Sequence, residues 1–234
     1  MKVKKPGLDR NALKYIAIIA MTLDHVAWFF LDFSSPLAQI FHIVGRITAP
    51  VMCFFLAQGF RHTTNRKKYA IRLLFFAVIS QVPWILVHGH TWDTLDFNMM
   101  FTLFISLCVL ICGEFKNKLL SFVCIAALVF ASLFCDWIFF APLFTVVFMR
   151  AGNSKIKQCV YFSLAAIACI AYFVWNSSWV SSLYMFGLFL CIPLLLLYNG
   201  QKGKGGSFNK WFFYLYYPLH LFIIAILQFF VAAQ

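Results

Sequence analysis

Long, uninterrupted apolar runs are the feature of this sequence that most restricts its fold. Dividing the chain at charges, glycines, prolines and polar clusters leaves nine runs, at residues 12–31, 37–60, 69–88, 97–113, 119–134, 136–149, 156–175, 180–198 and 211–232. Runs of about 20 apolar residues are typical of helices that cross a membrane. Because apolar and polar residues do not alternate within the runs, they do not suit the strands of a membrane β-barrel.

The composition excludes a soluble domain. Of the 234 residues, 63% are hydrophobic and 11% are charged, so a soluble fold could not bury the apolar surface. We predict an all-α polytopic membrane protein with about nine transmembrane helices, forming one transmembrane domain over residues 1–234. The fourth to sixth runs are short for a spanning helix, which gives a range of eight to ten. No cleavage site follows the first run, which we expect to stay as the first spanning helix.

Positive charge predicts the orientation. With the N-terminus in the cytoplasm, the cytoplasmic segments are residues 1–14, 61–72, 114–118, 150–157 and 199–210. These segments hold every Lys and Arg except Arg46. Basic residues collect in cytoplasmic loops, so we expect a cytoplasmic N-terminus and a C-terminus outside. Topology therefore explains the net charge of +12, and we expect no nucleic-acid partner.

Four polar residues fall at one predicted depth near the middle of the membrane. Asp24 lies nine residues beyond Tyr15, Gln81 nine beyond Arg72 and His220 nine beyond Trp211, which puts each about 14 Å from the cytoplasmic surface. Arg46 lies about 14 Å from the outer end of its run. An ionisable group at this depth costs about 2.5–3.5 kcal/mol and usually marks a functional site. The alternative is a structural ion pair between Asp24 and Arg46.

Helix geometry separates the roles of Asp24 and His25. Neighbours in a helix point about 100° apart, so Asp24 cannot easily orient His25. We predict that Asp24 faces Arg46 and that His25 faces a cavity. Pro50 and Pro83 support a site at this level, as does Pro218, because each proline frees a backbone carbonyl one turn earlier.

Other polar residues have weaker signals. Asn98 and Thr102 are four residues apart and are predicted to share one face of the fourth helix, lining the site or bonding between helices. His88 and His90 form an HxH in a loop, which is weak as a metal site. The eight cysteines all lie in apolar segments and form no CxxC, which favours small buried residues. We expect no metal.

A basic stretch, RHTTNRKKYAIR, covers residues 61–72. Anionic lipid headgroups are one partner for it. A phosphate-bearing cofactor is the other, since arginine matches phosphate geometry. The predicted cofactor contacts are Arg61, His62, Arg66, Lys67, Arg72 and Lys210.

Several motifs together resemble a known family. In order they are LDHVAWFF, GRITAPVMCFFLAQGFRHTTNRKKYAIRLL, SQVPW, FNMMFTL and KWFFYLYYPLHL. This set resembles the TraX family, whose named activity is N-terminal acetylation of conjugative pilin, and it covers nearly the whole chain. The family in turn resembles integral membrane acyltransferases, which take acyl groups from cytoplasmic acyl-CoA and use a membrane-embedded histidine. The chain departs from the family after Asp136, where CDWIFFAPLF lacks the family's glycines.

The resemblance implies an acetyl-CoA-dependent acyltransferase in the inner membrane of a bacterium. The acceptor is expected to be an amine or a hydroxyl on a peptide, sugar or lipid. We predict His25 as the general base, with His220 as alternate base or donor, because histidine titrates near neutral pH. Arg46, oriented by Asp24, is predicted to stabilise negative charge on the reacting oxygen. Gln81, Asn98 and Thr102 are predicted to line the site.

Two other functions fit the same residues. A proton-coupled transporter also uses Asp, His and Arg at the membrane centre. Repeated halves with paired broken helices are typical of carriers, and the sequence has neither. A scaffold without activity accounts for the helices but not for the shared depth of the polar residues.

Overall fold

A computed structural model describes residues 6–91, 93–204 and 206–232, without the side chains of residues 207, 210 and 232. The protein is 78% helix and has no strand among these residues. The helices are α1 (Arg10–Phe30), α2 (Pro36–Gly45), α3 (Thr48–His62), α4 (Arg66–His88), α5 (Met99–Cys112), α6 (Lys118–Ser132), α7 (Phe140–Ala151), α8 (Lys155–Asn176), a 3-10 helix (Val180–Leu190), α9 (Cys191–Leu197) and α10 (Gly206–Ala232). The prediction of an all-α polytopic membrane protein is therefore confirmed.

Each predicted run corresponds to one helix or to two consecutive helices. Within the described residues, six segments are long and apolar enough to cross a membrane: Arg10–Phe30, Pro36–His62, Arg66–His88, Lys155–Asn176, Val180–Leu197 and Trp211–Val231. The helices α5, α6 and α7 are shorter, as their runs predicted. Nine crossings and the orientation of the termini stay predictions.

The second predicted span is not one continuous helix. It ends as α2 at Gly45, turns at Arg46 and Ile47, and resumes as α3 at Thr48. Pro50 explains the position of this break, because it has no N–H to donate to the carbonyl of Arg46. The break places Arg46 at a helix terminus rather than inside a regular helix.

The chain folds as two compact units. The first comprises Met1–Met52 and Ala151–Phe213, and the second comprises Cys53–Arg150 and Tyr214–Gln234. In the first unit, α2 packs against α1 and the 3-10 helix, and α8 packs against the 3-10 helix and α9. In the second unit, α5 packs between α4 and α6. A single functional domain over 1–234 stays a prediction.

The turn between α6 and α7 carries backbone strain at two residues that are not glycine. Trp137 and Ile138 have φ values of 63° and 34°. Left-handed backbone costs an L-residue about 1–2 kcal/mol, and a β-branched side chain fits it poorly. Glycine is the residue that adopts this conformation without strain.

Ile138→Gly is therefore expected to stabilise the protein by about 1 kcal/mol, since released strain exceeds the entropy cost of glycine. The unfolding midpoint of the protein in detergent should rise by about 2–4 °C. Ile167→Gly is the matched control, because Ile167 is exposed inside α8, where glycine destabilises a helix. A lower midpoint for Ile138→Gly would show that this turn is not strained.

Candidate functional site

A carboxylate, an imidazole and a guanidinium meet where α1 packs against α2. One oxygen of Asp24, Oδ1, lies 2.8 Å from Nδ1 of His42, and the other accepts a hydrogen bond from the Arg46 guanidinium. We call Asp24, His42 and Arg46 the Asp24 cluster. It lies entirely in the first compact unit. The predicted contact between Asp24 and Arg46 is confirmed.

Local sequence explains why both partners reach one carboxylate. His42 and Arg46 are four residues apart, so they project from the same side of α2 and its C-terminal turn. Gly45 lies between them, and a Cβ there would overlap the Asp24 side chain, with Cγ only 2.5 Å away. The missing side chain at Gly45 therefore allows α1 and α2 to approach closely enough for these hydrogen bonds.

Aromatic rings enclose the imidazole of His42. Its centroid lies 4.5 Å from that of Trp28, 5.3 Å from that of Phe33 and 5.6 Å from that of Tyr184. Tyr184 comes from the 3-10 helix, and its ring also lies 5.1 Å from the guanidinium carbon of Arg46. These rings give His42 apolar surroundings, in which its hydrogen bond to Asp24 is electrostatically stronger than in water.

The hydrogen bond to Asp24 determines which nitrogen of His42 carries the proton. An ionised carboxylate only accepts hydrogen bonds, so Nδ1–H of a neutral His42 donates to it and Nε2 keeps a lone pair. His42 is fully buried, and within the described residues its Nε2 has no hydrogen-bond partner. An unsatisfied buried polar atom costs about 1–3 kcal/mol. Such an atom in a native protein suggests a functional reason for its retention.

His25 lies beside Asp24 in the chain but projects to another side of α1. Its ring stacks on that of Phe29, with centroids 6.0 Å apart and planes inclined by 12°. The side chain is partly exposed. Its role as general base stays a prediction.

A second polar network lies in the other compact unit. Gln81 donates to the carbonyl of Asp96 at 2.7 Å and accepts a hydrogen bond from Nδ2 of Asn98 at 2.7 Å. Nδ2 of Asn98 also donates to the carbonyl of Ala77 at 2.9 Å, and its Oδ1 accepts from the N–H of Met100. These bonds join α4 to the start of α5.

The spacing predicts that Asn98 and Thr102 share one helix face, but in the structure they do not. Asn98 is the N-cap of α5, outside the helix, and its side chain accepts a hydrogen bond from the free N–H of Met100 in the first turn. Thr102 lies inside α5 and donates to the carbonyl of Asp136 at 2.5 Å. The contacts of Asn98 match the structural alternative, hydrogen bonding between helices, whereas Thr102 bonds the turn between α6 and α7. A role of either residue in lining the site stays a prediction.

His220 lies in the second unit, buried on α10. Its Nδ1 is 3.0 Å from the carbonyl oxygen of Tyr216, and its ring stacks on the Tyr216 ring at 5.4 Å. Tyr217, next along the helix, contacts the same imidazole edge-on. The role of His220 as alternate base or donor stays a prediction.

Two of the predicted cofactor contacts, Arg61 and Arg66, bond other groups of the protein. Arg61 donates to the carbonyls of Phe148 at 2.5 Å and Met149 at 3.1 Å, at the C-terminal end of α7. Arg66 forms an ion pair with Glu114. Arginine at a helix C-terminus satisfies free carbonyls, so Arg61 has a structural role.

The remaining predicted cofactor contacts have different surroundings. Arg72 lies 5.4 Å from the ring of Tyr69 and 5.2 Å from that of Tyr214. His62 and Lys67 are exposed. The side chain of Lys210, on α10, is outside the described residues. Across the part of the chain that the structure describes, no group of three or more His, Cys, Asp or Glu is arranged to hold a metal.

Comparison with known proteins decides the family. The family model for the TraX protein matches residues 9–228. This chain belongs to the TraX family. It is 36% identical to the probable fimbrial assembly protein FimC, serogroup H1, of Dichelobacter nodosus over 229 residues, which cover 91% of this chain and 92% of FimC. It is 29% identical to the uncharacterized protein RP591 of Rickettsia prowazekii over 113 residues, covering 48% of this chain and 40% of RP591. No solved structure matches it significantly.

Membership of the TraX family confirms the resemblance based on the sequence motifs. The sequence-based prediction of the site did not include His42 of the Asp24 cluster. The signal was present in FHIVGR, where a histidine precedes the membrane arginine by four residues and so shares its side of the helix. TraX proteins are bacterial membrane proteins, and the apolar helices of this chain agree with that location.

Proposed function

We propose that this protein is an integral membrane acyltransferase that transfers an acetyl group from acetyl-CoA to an amine or hydroxyl acceptor. The observation that carries the proposal is the Asp24 cluster, a carboxylate hydrogen-bonded to a histidine and an arginine within helices of spanning length. Acyl transfer uses a base for the acceptor and a positive group for the developing oxyanion. Both kinds of group are present in this cluster.

Arg46 is the proposed stabiliser of the reacting oxygen. Its guanidinium bonds Asp24 and lies against the Tyr184 ring, so its position is restrained from two sides. A guanidinium has five N–H donors, which allows it to bond a carboxylate and a thioester oxygen together. A preorganised donor of this kind typically contributes 10²–10³-fold to the rate.

The nucleotide end of acetyl-CoA is proposed to bind at the start of α4. Lys67 and Lys68 lie in its first turn and are exposed. The helix dipole repels cations at this terminus, and a bound phosphate would offset that repulsion. His62, Arg66, Arg72 and Lys210 are proposed as further contacts. Arg61 is a weaker candidate because α7 carbonyls already occupy its guanidinium.

The proposed acceptor is the N-terminal amine of a pilin-like peptide, with a sugar or lipid hydroxyl as the other class. FimC of Dichelobacter nodosus is named a probable fimbrial assembly protein, and this similarity supports a peptide acceptor. We place the protein in the inner membrane, where the proposed donor is available in the cytoplasm and lipids surround the helices.

The experiment measures transfer directly. Purified protein in lipid vesicles is incubated with radiolabelled acetyl-CoA and a bacterial membrane extract, and the labelled product is identified. Arg46→Lys is expected to lower the transfer rate by about 10²-fold, since lysine lacks the planar fork that bonds two oxygens at once. The unfolding midpoint of this variant checks that it is folded.

Arg150→Lys is the matched control, because Arg150 is an exposed residue at the end of α7. It should transfer label at the wild-type rate. Absence of both acetyl-CoA binding and label transfer in the wild-type protein would overturn the proposed function. It would then favour proton-coupled transport, which also uses buried ionisable groups.

A further inference from the structure

One atom of the Asp24 cluster has no assigned use. Nε2 of His42 is buried and has no hydrogen-bond partner within the described residues, while Nδ1 of the same ring is bonded to Asp24. A carboxylate on one imidazole nitrogen fixes the tautomer and orients the other nitrogen as a proton acceptor. In His42 the Asp24 carboxylate has this orienting role, which leaves Nε2 as the proton acceptor. The sequence did not predict His42 as part of the site.

We propose that His42 is the general base of acyl transfer, positioned by Asp24. The assignment rests on the proposed acyltransferase function. It differs from the sequence-based prediction, which gave the role of general base to His25. Asp24 accepts its hydrogen bond from His42 on the neighbouring helix, whereas His25 is adjacent to Asp24 in the chain and projects to another side of α1. Adjacent residues of a helix point about 100° apart, so His25 cannot face the Asp24 carboxylate as His42 does.

A single histidine can carry out both proton transfers of the reaction. Nε2 takes a proton from the attacking amine or hydroxyl as its nitrogen or oxygen forms a bond to the thioester carbonyl carbon. The carbon–sulfur bond then breaks and its electron pair stays on sulfur. The imidazolium gives the proton to that thiolate, which leaves as the CoA thiol, and His42 returns to its neutral form.

The spacing of the cluster suits this sequence of steps. His42 and Arg46 lie one helical turn apart, a separation of about 5–6 Å between Cβ atoms. Asp24 bonds both residues, so a single carboxylate sets the relative position of base and cation.

Access of a substrate to the buried Nε2 requires the surrounding aromatic rings to move. Trp28 is 46% exposed, and Phe33 and Tyr184 are half-buried. These rings contact the imidazole without bonding it, so they can change rotamer without breaking a hydrogen bond to His42. They also exclude water from the base, which protects the thioester from hydrolysis.

The test compares pH–rate profiles of variants in the labelled acetyl-CoA assay. In His42→Asn the amide nitrogen takes the place of Nδ1 and keeps the bond to Asp24, but no atom replaces Nε2. We expect transfer to fall by about 10²–10⁴-fold, the usual contribution of a general base. The rise of kcat/KM with pH, which reports the titration of the base in the wild-type protein, should disappear.

His25→Asn should keep that rise if His42 is the base. His90→Asn is the control for the substitution itself, since His90 lies in the loop after α4 and has no proposed role. His42→Gln provides a second variant of His42, and unfolding midpoints show which variants are folded. Loss of the pH dependence in a folded His42 variant is an effect that a merely structural histidine would not produce.

Three results would count against the assignment or its basis, and they are distinguishable. A wild-type protein without acetyl transfer overturns the proposed function itself. A wild-type protein that transfers acetyl, together with a His42 variant that keeps both rate and pH dependence, overturns the role of His42 alone. Loss of the pH dependence in His25→Asn, with its retention in His42→Asn, returns the role of base to His25.

Discussion

Asp24→Ala is expected to destabilise the protein strongly and to lower its unfolding midpoint. The substitution removes the carboxylate that pairs with Arg46, which is only 9% exposed, and leaves its charge buried without that counter-ion. Breaking a buried ion pair from one side costs about 3–5 kcal/mol. A typical fold has a total stability of about 5–15 kcal/mol, so the loss is a large share of it. The unfolding midpoint in detergent and the yield of monodisperse protein measure the effect.

Two further variants separate charge from shape. Asp32→Ala removes an exposed carboxylate that bonds the hydroxyl and N–H of nearby Ser34, and these two donors hold the pKa of Asp32 below its usual value. It should leave the midpoint unchanged. Asp24→Ala combined with Arg46→Met should regain part of the lost stability, because it removes the unpaired charge although His42 still loses its acceptor, and it should transfer no acetyl group. A stable Asp24→Ala single variant would show that the ion pair does not hold α1 to α2.

Gly187→Ala is expected to separate the 3-10 helix from α2. A Cβ at Gly187 would overlap the carbonyl oxygen of Ile43 and lie 2.7 Å from its carbonyl carbon. These are backbone atoms, so the clash cannot be relieved by a side-chain rotation and the two helices must move apart. We expect a loss of about 3 kcal/mol, at the upper end of overpacking costs, and a midpoint lower by about 6–12 °C. Acetyl transfer should fall as well, since the same helix carries Tyr184.

Gly113→Ala is the matched control for this substitution. Gly113 has right-handed helical dihedral angles, and a Cβ there would lie 3.4 Å from its nearest neighbours, an ordinary contact. Its midpoint should stay level or rise, because alanine reduces the entropy of the unfolded chain. If Gly187→Ala unfolds at the wild-type temperature, the close approach of the 3-10 helix to Ile43 is wrong.

The predicted depths of residues in the membrane indicated the contact between Asp24 and Arg46 but not the contact between Asp24 and His42. Asp24 and Arg46 were paired because opposite charges at one depth on consecutive spans have a strong reason to meet. His42 lies closer to the end of its run, so its depth gave no reason to pair it with Asp24. Its contact depends on the rotation of α2 about its axis and on the small size of Gly45, neither of which hydropathy describes.

The prolines of the apolar runs have different effects on their helices. The helix breaks just before Pro50, as the missing N–H requires. Helices α4 and α10 continue through Pro83 and Pro218. Whether a proline ends a helix depends on what else satisfies the freed carbonyl, and that depends on tertiary contacts.

The sequence by itself determined that this is a helical membrane protein of the TraX family, where its apolar segments lie, and that Asp24 has a reason to meet Arg46. These properties follow from chain-local quantities: the length of apolar runs, the motifs and the cost of charge in an apolar medium. The tertiary structure decided that His42, rather than a residue adjacent to Asp24, shares its carboxylate, and that Gln81 and Asn98 bond each other. Such contacts depend on helix rotation and close approach, which packing at positions such as Gly45 sets and one-dimensional patterns do not encode.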